Sequence, residues 1–173
     1  MRLENDVWQA YFETFQHSAF RLETHPVYAV PGEDSTFQRF LSGERPTGEH
    51  AKEWTDKVRR YLSTNRSISR VHVVTRPLSD YLRYEFSWWY RFNAEAGEDI
   101  RILDVTDRPD LDLPGYDFYL FDESRVVKML YRSDGTQTGR ELLEDADPTE
   151  YIRYRDTAVR ESVPFAEYVA DRP

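Results

Sequence analysis

The sequence predicts an α/β fold, with α+β as the alternative arrangement: a mixed sheet with a central β-hairpin, flanked by helices. Three observations predict it. Residues 115–130, GYDFYLFDESRVVKML, hold two apolar runs, 118–121 and 126–130, separated by the charged Asp122-Glu123-Ser124-Arg125, the pattern of adjacent strands joined by a tight turn. The first run has no polar residue on either face, as in a strand covered on both sides, so helices must flank the sheet. Residues 68–103 read strand, helix, strand, a crossover unit that normally makes two parallel strands with a right-handed connection.

Taken in order, residues 4–17 read as an amphipathic helix, with Val7, Tyr11 and Phe15 at spacings of four and Trp8 and Phe12 beside them. Residues 18–30 hold two short strand-like pieces broken by His25-Pro26, and the proline confines either piece to an edge or a bend. Asp34 or Ser35 opens a short helix carrying Phe37, Phe40 and Leu41, closed by Gly43. Residues 49–64 form a helix with Trp54, Val58, Tyr61 and Leu62 on one face and Asn65 as its C-cap.

Residues 68–74 alternate and are rich in β-branched side chains, which makes a strand. Residues 78–96 are a long helix begun at Ser79 or Asp80 and ended by Gly97, and 100–103 are the next strand. After the hairpin, 141–143 are a last strand and 148–162 a closing helix. The expected organisation is one domain over 1–173, in which 1–66 form a helical N-terminal extension packed on an α/β unit over 67–173.

Composition narrows the function. A net charge of −9 argues against capture of nucleic acid, since affinity for the phosphate backbone comes from clustered Lys and Arg. With no cysteine, disulfides, thiolate nucleophiles and cysteine-type zinc sites are all removed. Nowhere do about 18 apolar residues run together, and the N-terminal stretch has no apolar core of the secretory type. The expected location is the cytoplasm, away from the membrane. Aromatic residues at 15% are unusually heavy; the core of one small domain can take many of them, and part of that surface is a candidate for cover by a partner.

The segments VHVVTRPLSDYLRYE, EDIRILD and GYDFYLFD, with the closing helix, resemble an uncharacterised actinobacterial family whose members are often encoded beside helix-turn-helix regulators. That resemblance implies a regulatory partner and carries no activity. The order of elements is also similar to half of a phospholipase D-type domain, whose His-x-Lys-x-x-x-x-Asp motif uses His as nucleophile and Lys to hold phosphate oxygens. Laid on this chain, the motif falls on Gly115, Asp117 and Asp122, so only the aspartate remains. His72 does not replace the nucleophile, because Val74 stands where the lysine should be.

Other chemistry is sparse. His17, His25, His50 and His72 lack metal-ligand spacing, and read as surface or satisfied core histidines. Asp104, Asp107, Asp110 and Asp112 share a loop that could bind a divalent ion, although loops are commonly acidic for solubility. Arg76, Arg83 and Arg91 surround the long helix, ready for an anion or for Glu85, Glu95 and Asp80. Arg76, Arg101 and Asp122 are the candidate ligand-binding residues, at a cleft off the strand ends. On the long helix, Leu78, Tyr81, Leu82, Glu85, Phe86, Trp89 and Phe92 face the sheet, while Tyr84, Trp88 and Arg91 lie on another side. Either the N-terminal helices cover that second side, or Tyr84, Trp88 and Arg91 meet another chain, a second copy or a regulator.

The sequence therefore points to a non-enzymatic interaction or sensor-type domain working with a protein partner. The alternative is an enzyme or binding protein for a phosphorylated or nucleotide-like molecule. Neither reading calls for a cofactor or a metal.

Overall fold

The structure, a computed structural model, describes residues 1–108 and 110–171. The chain opens with helix α1 (Asn5–Thr14), strand β1 (Ser18–Glu23), helix α2 (Asp34–Leu41) and helix α3 (Lys52–Ser63). Strand β2 (Ser67–Val74) is followed by helix α4 (Asp80–Tyr84), a π-helical segment (Glu85–Tyr90) and helix α5 (Arg91–Ala96). Strands β3 (Asp99–Asp104), β4 (Phe118–Phe121), β5 (Arg125–Tyr131) and β6 (Gln137–Leu142) precede helix α6 (Pro148–Glu161), and β7 (Val163–Pro164) and α7 (Phe165–Asp171) end the described chain.

The seven strands form one sheet in the order β6-β5-β4-β1-β2-β3-β7. β1, β2 and β3 run parallel, and every other neighbouring pair is antiparallel, which makes the expected mixed α/β sheet. The hairpin is β4-β5, turned at Asp122 and Glu123, both with positive φ. The crossover is β2–α4–α5–β3, with Ser79 as N-cap accepting from the Leu82 N–H and Gly97 as the left-handed C-cap. Neither β7 nor α7 has a counterpart in the sequence reading.

The helical extension expected over 1–66 needs correction, because it also supplies a strand of the sheet. β1 lies in the middle of the sheet, pairing β2 on one side and β4 on the other. Pro26 sits three residues beyond its end, at a bend, the second of the two places expected for it, and so imposes no edge on β1.

Alternation along the strands separates two faces. Phe20, Leu22, Val71, Leu103, Phe118, Leu120 and Val126 point to one side and are covered by Tyr151 and Ala158 of α6. On the other side Ala19, Ile68, Tyr119, Phe121, Val127 and Met129 pack with Trp8, Phe12, Val58 and Tyr61 of α1 and α3. Further along that face, Val74, Ile100 and Ile102 meet Leu82, Phe86 and Tyr90, with Phe165 and Tyr168 of α7. The middle of this second face is polar, and the site described below lies there.

Candidate functional site

Along β1 the sequence Phe20-Arg21-Leu22-Glu23 puts two apolar side chains under α6 and two charged ones on the opposite face. β2 repeats the device with Arg70 and His72 flanking Val71, and the parallel register sets Arg21 beside Arg70 and Glu23 beside His72. Four charged residues thus meet inside the fold. Glu23 and His72 are closed off from solvent, and Arg70 is 9% exposed.

Glu23 is the hub. Its Oε1 lies 2.9 Å from Arg70 Nη1 and 3.1 Å from Arg21 Nη1, and its Oε2 accepts the Tyr90 hydroxyl. His72 Nδ1 stands 2.7 Å from the Tyr90 hydroxyl and 3.0 Å from Glu23 Oε2, while Nε2–H donates to the His25 carbonyl at 2.9 Å. Arg70 Nε donates to Glu98 at 2.6 Å, and Trp54 Nε1 donates to the other Glu98 oxygen. Asp117 closes the β1 end by accepting from the Thr24 N–H (2.7 Å), the Thr24 hydroxyl (2.9 Å) and the Tyr28 hydroxyl (2.7 Å).

The π-helical segment supplies the remaining wall. Widening of the helix between Glu85 and Tyr90 turns Glu85, Phe86 and Tyr90 inward, so Tyr90 rather than Phe92 reaches the sheet. Glu85 Oε2 stands 3.5 Å from His72 Nδ1 and accepts no hydrogen bond. Burial, reinforced by the charge of Glu23, pushes the Glu85 carboxyl up to about 8 against the pull of His72 and the arginines. Burial works against the charge on His72, but the hydrogen bond and charge of Glu23, with Glu85 beside them, outweigh it and lift the imidazole to about 9. Glu23 feels burial most, yet Arg21, Arg70 and His72 together hold it well below the usual carboxylate range.

Two cavities adjoin this network. The first, about 250 Å³, is lined by Arg21, Glu23, Arg70, Glu85 and Asn93 with the rings of Trp89 and Tyr90. The second, about 320 Å³, is lined by Lys57, Tyr61, Gln137 and Arg140 with the rings of Trp8 and Phe12. Arg21, Tyr28, Val30, Trp54 and Tyr119 belong to both. Among the described residues, the buried side-chain atoms with no hydrogen-bond partner are Arg21 Nε, Tyr61 Oη, Glu85 Oε2, Asn93 Oδ1, Gln137 Nε2 and Arg140 Nε. Every one belongs to a residue lining one of these two cavities.

Glu23, His72 and Glu85 each offer one ligand atom, all within 4.8 Å of one another, the separation a metal ion would need. Their surroundings fit protons better. Glu23 already carries two guanidinium contacts, and His72 Nδ1 faces the Tyr90 hydroxyl, so a divalent cation would have to enter beside two fixed positive charges.

The residues singled out from sequence lie elsewhere. Arg76 Nε contacts Tyr168 at 2.9 Å and Asp104 at 3.3 Å, beside a hollow of about 550 Å³. Arg101 Nε and Nη2 donate to the Ser162 hydroxyl and carbonyl. Arg101 and Asp104 alternate to opposite faces of β3, so Arg76 and Arg101 do not share a cleft. Asp122 lies at the other end of the sheet, where its carboxylate accepts the backbone N–H groups of Gln16 (2.8 Å), His17 (2.7 Å) and Ser18 (3.0 Å). Burial opposes its ionisation, but those bonds hold it below its ordinary value. The three residues expected to bind a ligand are therefore not brought together. In the acidic loop, Asp104 holds Thr106 as well as Arg76, and Asp112 contacts Arg153.

The expected contact surface is also corrected. Tyr84 is 0% and Trp88 1% exposed, covered by Phe37 and Phe40 of α2, by His50 and by the Arg39 guanidinium. The N-terminal helices thus take the second side of the long helix, and Arg91 alone stays exposed, paired with Glu95 at 3.4 Å. Sequence reasoning missed Arg21, Glu23, Arg70, Glu98 and the role of His72. Charged residues two apart in each of two apolar strands were the available signal.

The family model described as "Domain of unknown function (DUF6879)" matches residues 6–170. The chain belongs to that family. The match runs from α1 to α7 and so includes every strand of the sheet and both cavities. Comparison with curated proteins finds no match.

Proposed function

We propose that this protein is a sensor-type binding domain that holds a small polar molecule in the two adjoining cavities on the helix-covered face of its sheet. One observation carries the reading: among the described residues, the buried side-chain polar atoms left without partners are gathered around these cavities. An unsatisfied buried donor or acceptor costs about 1–3 kcal/mol, so a fold that concentrates them around one hollow is organised to meet a polar partner there.

Binding is favoured over catalysis because Glu23, Glu98 and Asp117 are all committed to arginine, histidine or hydroxyl partners. A sensor needs something to report to. The family resemblance suggests a helix-turn-helix regulator as that protein partner, in the cytoplasm.

The test is a thermal-shift screen of the full chain against a library of small polar metabolites, followed by calorimetry on the hits. Asn93→Leu removes one unpaired acceptor at nearly constant volume; it should leave the free protein as stable or more stable and abolish the ligand-induced shift. A library that shifts nothing, together with native mass spectra showing only the bare chain, would overturn the reading.

A further inference from the structure

The two cavities differ in the polar groups they present. Glu23, Glu33 and Glu85 line the first together with Arg21 and Arg70; burial lifts Glu33 to about 7 and Glu85 to about 8, so Glu85 meets the cavity as a neutral carboxyl group at neutral pH. The second is lined by Arg21, Lys57 and Arg140, with no carboxylate among its lining residues; Glu23 and Asp117 answer Arg21 and Glu53 answers Lys57 at 3.3 Å, which leaves Arg140. Of the unpaired atoms, Glu85 Oε2 and Asn93 Oδ1 are oxygens at the first cavity, whereas Gln137 Nε2 and Arg140 Nε are donors at the second, where the Tyr61 hydroxyl joins them; Arg21 Nε, a donor, borders both. Arg140 makes no ion pair among the described residues; its guanidinium lies over the Trp8 ring, 5.1 Å from the centroid. Burial lowers its pKa and no carboxylate answers, so this cation lacks its counter-ion.

Between the two poles the walls are aromatic: Trp54 and Tyr119 are common to both cavities, and Trp89 and Tyr90 close the first. Flat walls of this kind accept a planar ring. Volumes of about 250 and 320 Å³ fall within the range of roughly 300–1,000 Å³, taken together, that holds a drug-sized ligand.

Resting on the reading of these cavities as a binding site, we propose that their occupant is a bipolar molecule: a planar, N–H-bearing heterocycle whose donor edge meets Glu85 and Asn93, joined to an anionic group that meets Arg140 and Lys57. Two sources share this chemistry. A nucleoside monophosphate carries a base and a phosphate, and an aromatic α-amino acid such as tryptophan carries an indole and a carboxylate. The polar ends fix orientation, and discrimination against a molecule lacking either end comes from the buried group left unpaired.

Calorimetric titration of the full chain with the four common nucleoside monophosphates, their nucleosides, tryptophan, indole and inorganic phosphate separates the possibilities. The expected result is saturable binding of at least one molecule carrying both ring and anion, with its anion-free counterpart and phosphate alone at least tenfold weaker. A nucleotide hit names the phosphate source, and a tryptophan hit names the carboxylate source. Arg140→Gln should erase the advantage of the anion-bearing ligand and Arg140→Lys should restore most of it, while unchanged melting of both variants shows that the fold is intact. If nucleosides or indole bind as tightly as their anionic counterparts, the bipolar assignment is overturned. If none of these probes binds while the metabolite library still yields hits that Asn93→Leu abolishes, the ligand class is wrong and the binding reading survives; if neither set binds, both fall.

Discussion

His72 Nδ1 lies 3.0 Å from Glu23 Oε2, and neither residue is more than 1% exposed. A charged pair so placed is held by its neighbours as much as by its own attraction, because removing two charges from water costs several kcal/mol per ion. Glu23 answers Arg21, Arg70 and His72 together; its loss would leave Arg21 to Asp117 alone, Arg70 to Glu98 alone and His72 to Glu85 at 3.5 Å.

Stability should therefore fall as pH rises through neutrality. His72 goes from an ordinary 6.5 to about 9, and Glu85 from 4.5 to about 8, so in both cases the folded chain holds a proton that the unfolded chain gives up. Their contribution is complete below the ordinary values and is lost as pH climbs through the folded ones, by about 1.4 kcal/mol per pH unit for each proton. Glu23, held below 4.5, acts in the opposite sense and gives up its contribution only in acid. Urea midpoints measured from mildly acidic to mildly alkaline buffer should drop steadily, and Glu85→Gln should flatten the part of that drop below pH 8. A midpoint independent of pH in the native chain would contradict the charge assignment.

Trp88 and Arg91 should respond very differently to truncation, though both lie on the side of the long helix expected to meet a partner. Trp88→Ala opens a cavity between α2 and the π-helical segment, and should cost about 3–5 kcal/mol in denaturant unfolding. Arg91→Ala removes only an exposed pair with Glu95, and should change stability by less than about 0.5 kcal/mol. Equal effects would mean that α2 does not cover Trp88.

Asp122→Ala should lower stability by about 1–3 kcal/mol, because three backbone N–H groups lose their acceptor at once. Ligand affinity, read by calorimetry, should stay within twofold, since Ser18 and Glu23 stand at opposite ends of β1, each residue of which advances about 3.3 Å. Loss of binding without loss of stability would place Asp122 in the site after all.

Added zinc should leave the melting temperature unchanged at neutral pH. A metal at Glu23, His72 and Glu85 would have to displace protons and approach two guanidinium groups. A rise in melting temperature that grows with zinc and disappears in Glu85→Gln would show instead that the triad is a metal site.

Most of the elements were legible because they depend on local signals. Ser79 and Gly97 bracket the long helix as a capping residue and a left-handed terminator, and Phe118-Tyr119-Leu120-Phe121 reads as a strand covered on both faces. What lay hidden depends on pairing across the chain. Arg21 and Arg70 each look like a solvent-facing residue of a half-exposed strand, and only the register that sets β1 beside β2 makes them neighbours in the interior. The π-helical segment escaped for a related reason: regular helical spacing assigns Phe92 to the sheet, whereas the widened turn delivers Tyr90.

The central position of β1 also bears on how the chain comes to be folded as it is synthesised. Ser18 and Asp122, joined by a backbone-to-carboxylate hydrogen bond, are 104 residues apart in sequence. A nascent chain that has just completed β1 has neither of the strands that will flank it, and β4 follows long after β2. Until then β1 presents an open edge, and Arg21 and Glu23 must wait for Arg70, His72 and Asp117. Long-range pairing of this kind makes for slow closure, and a ribosome stalled before β4 would hold out a strand ready to pair with the wrong neighbour.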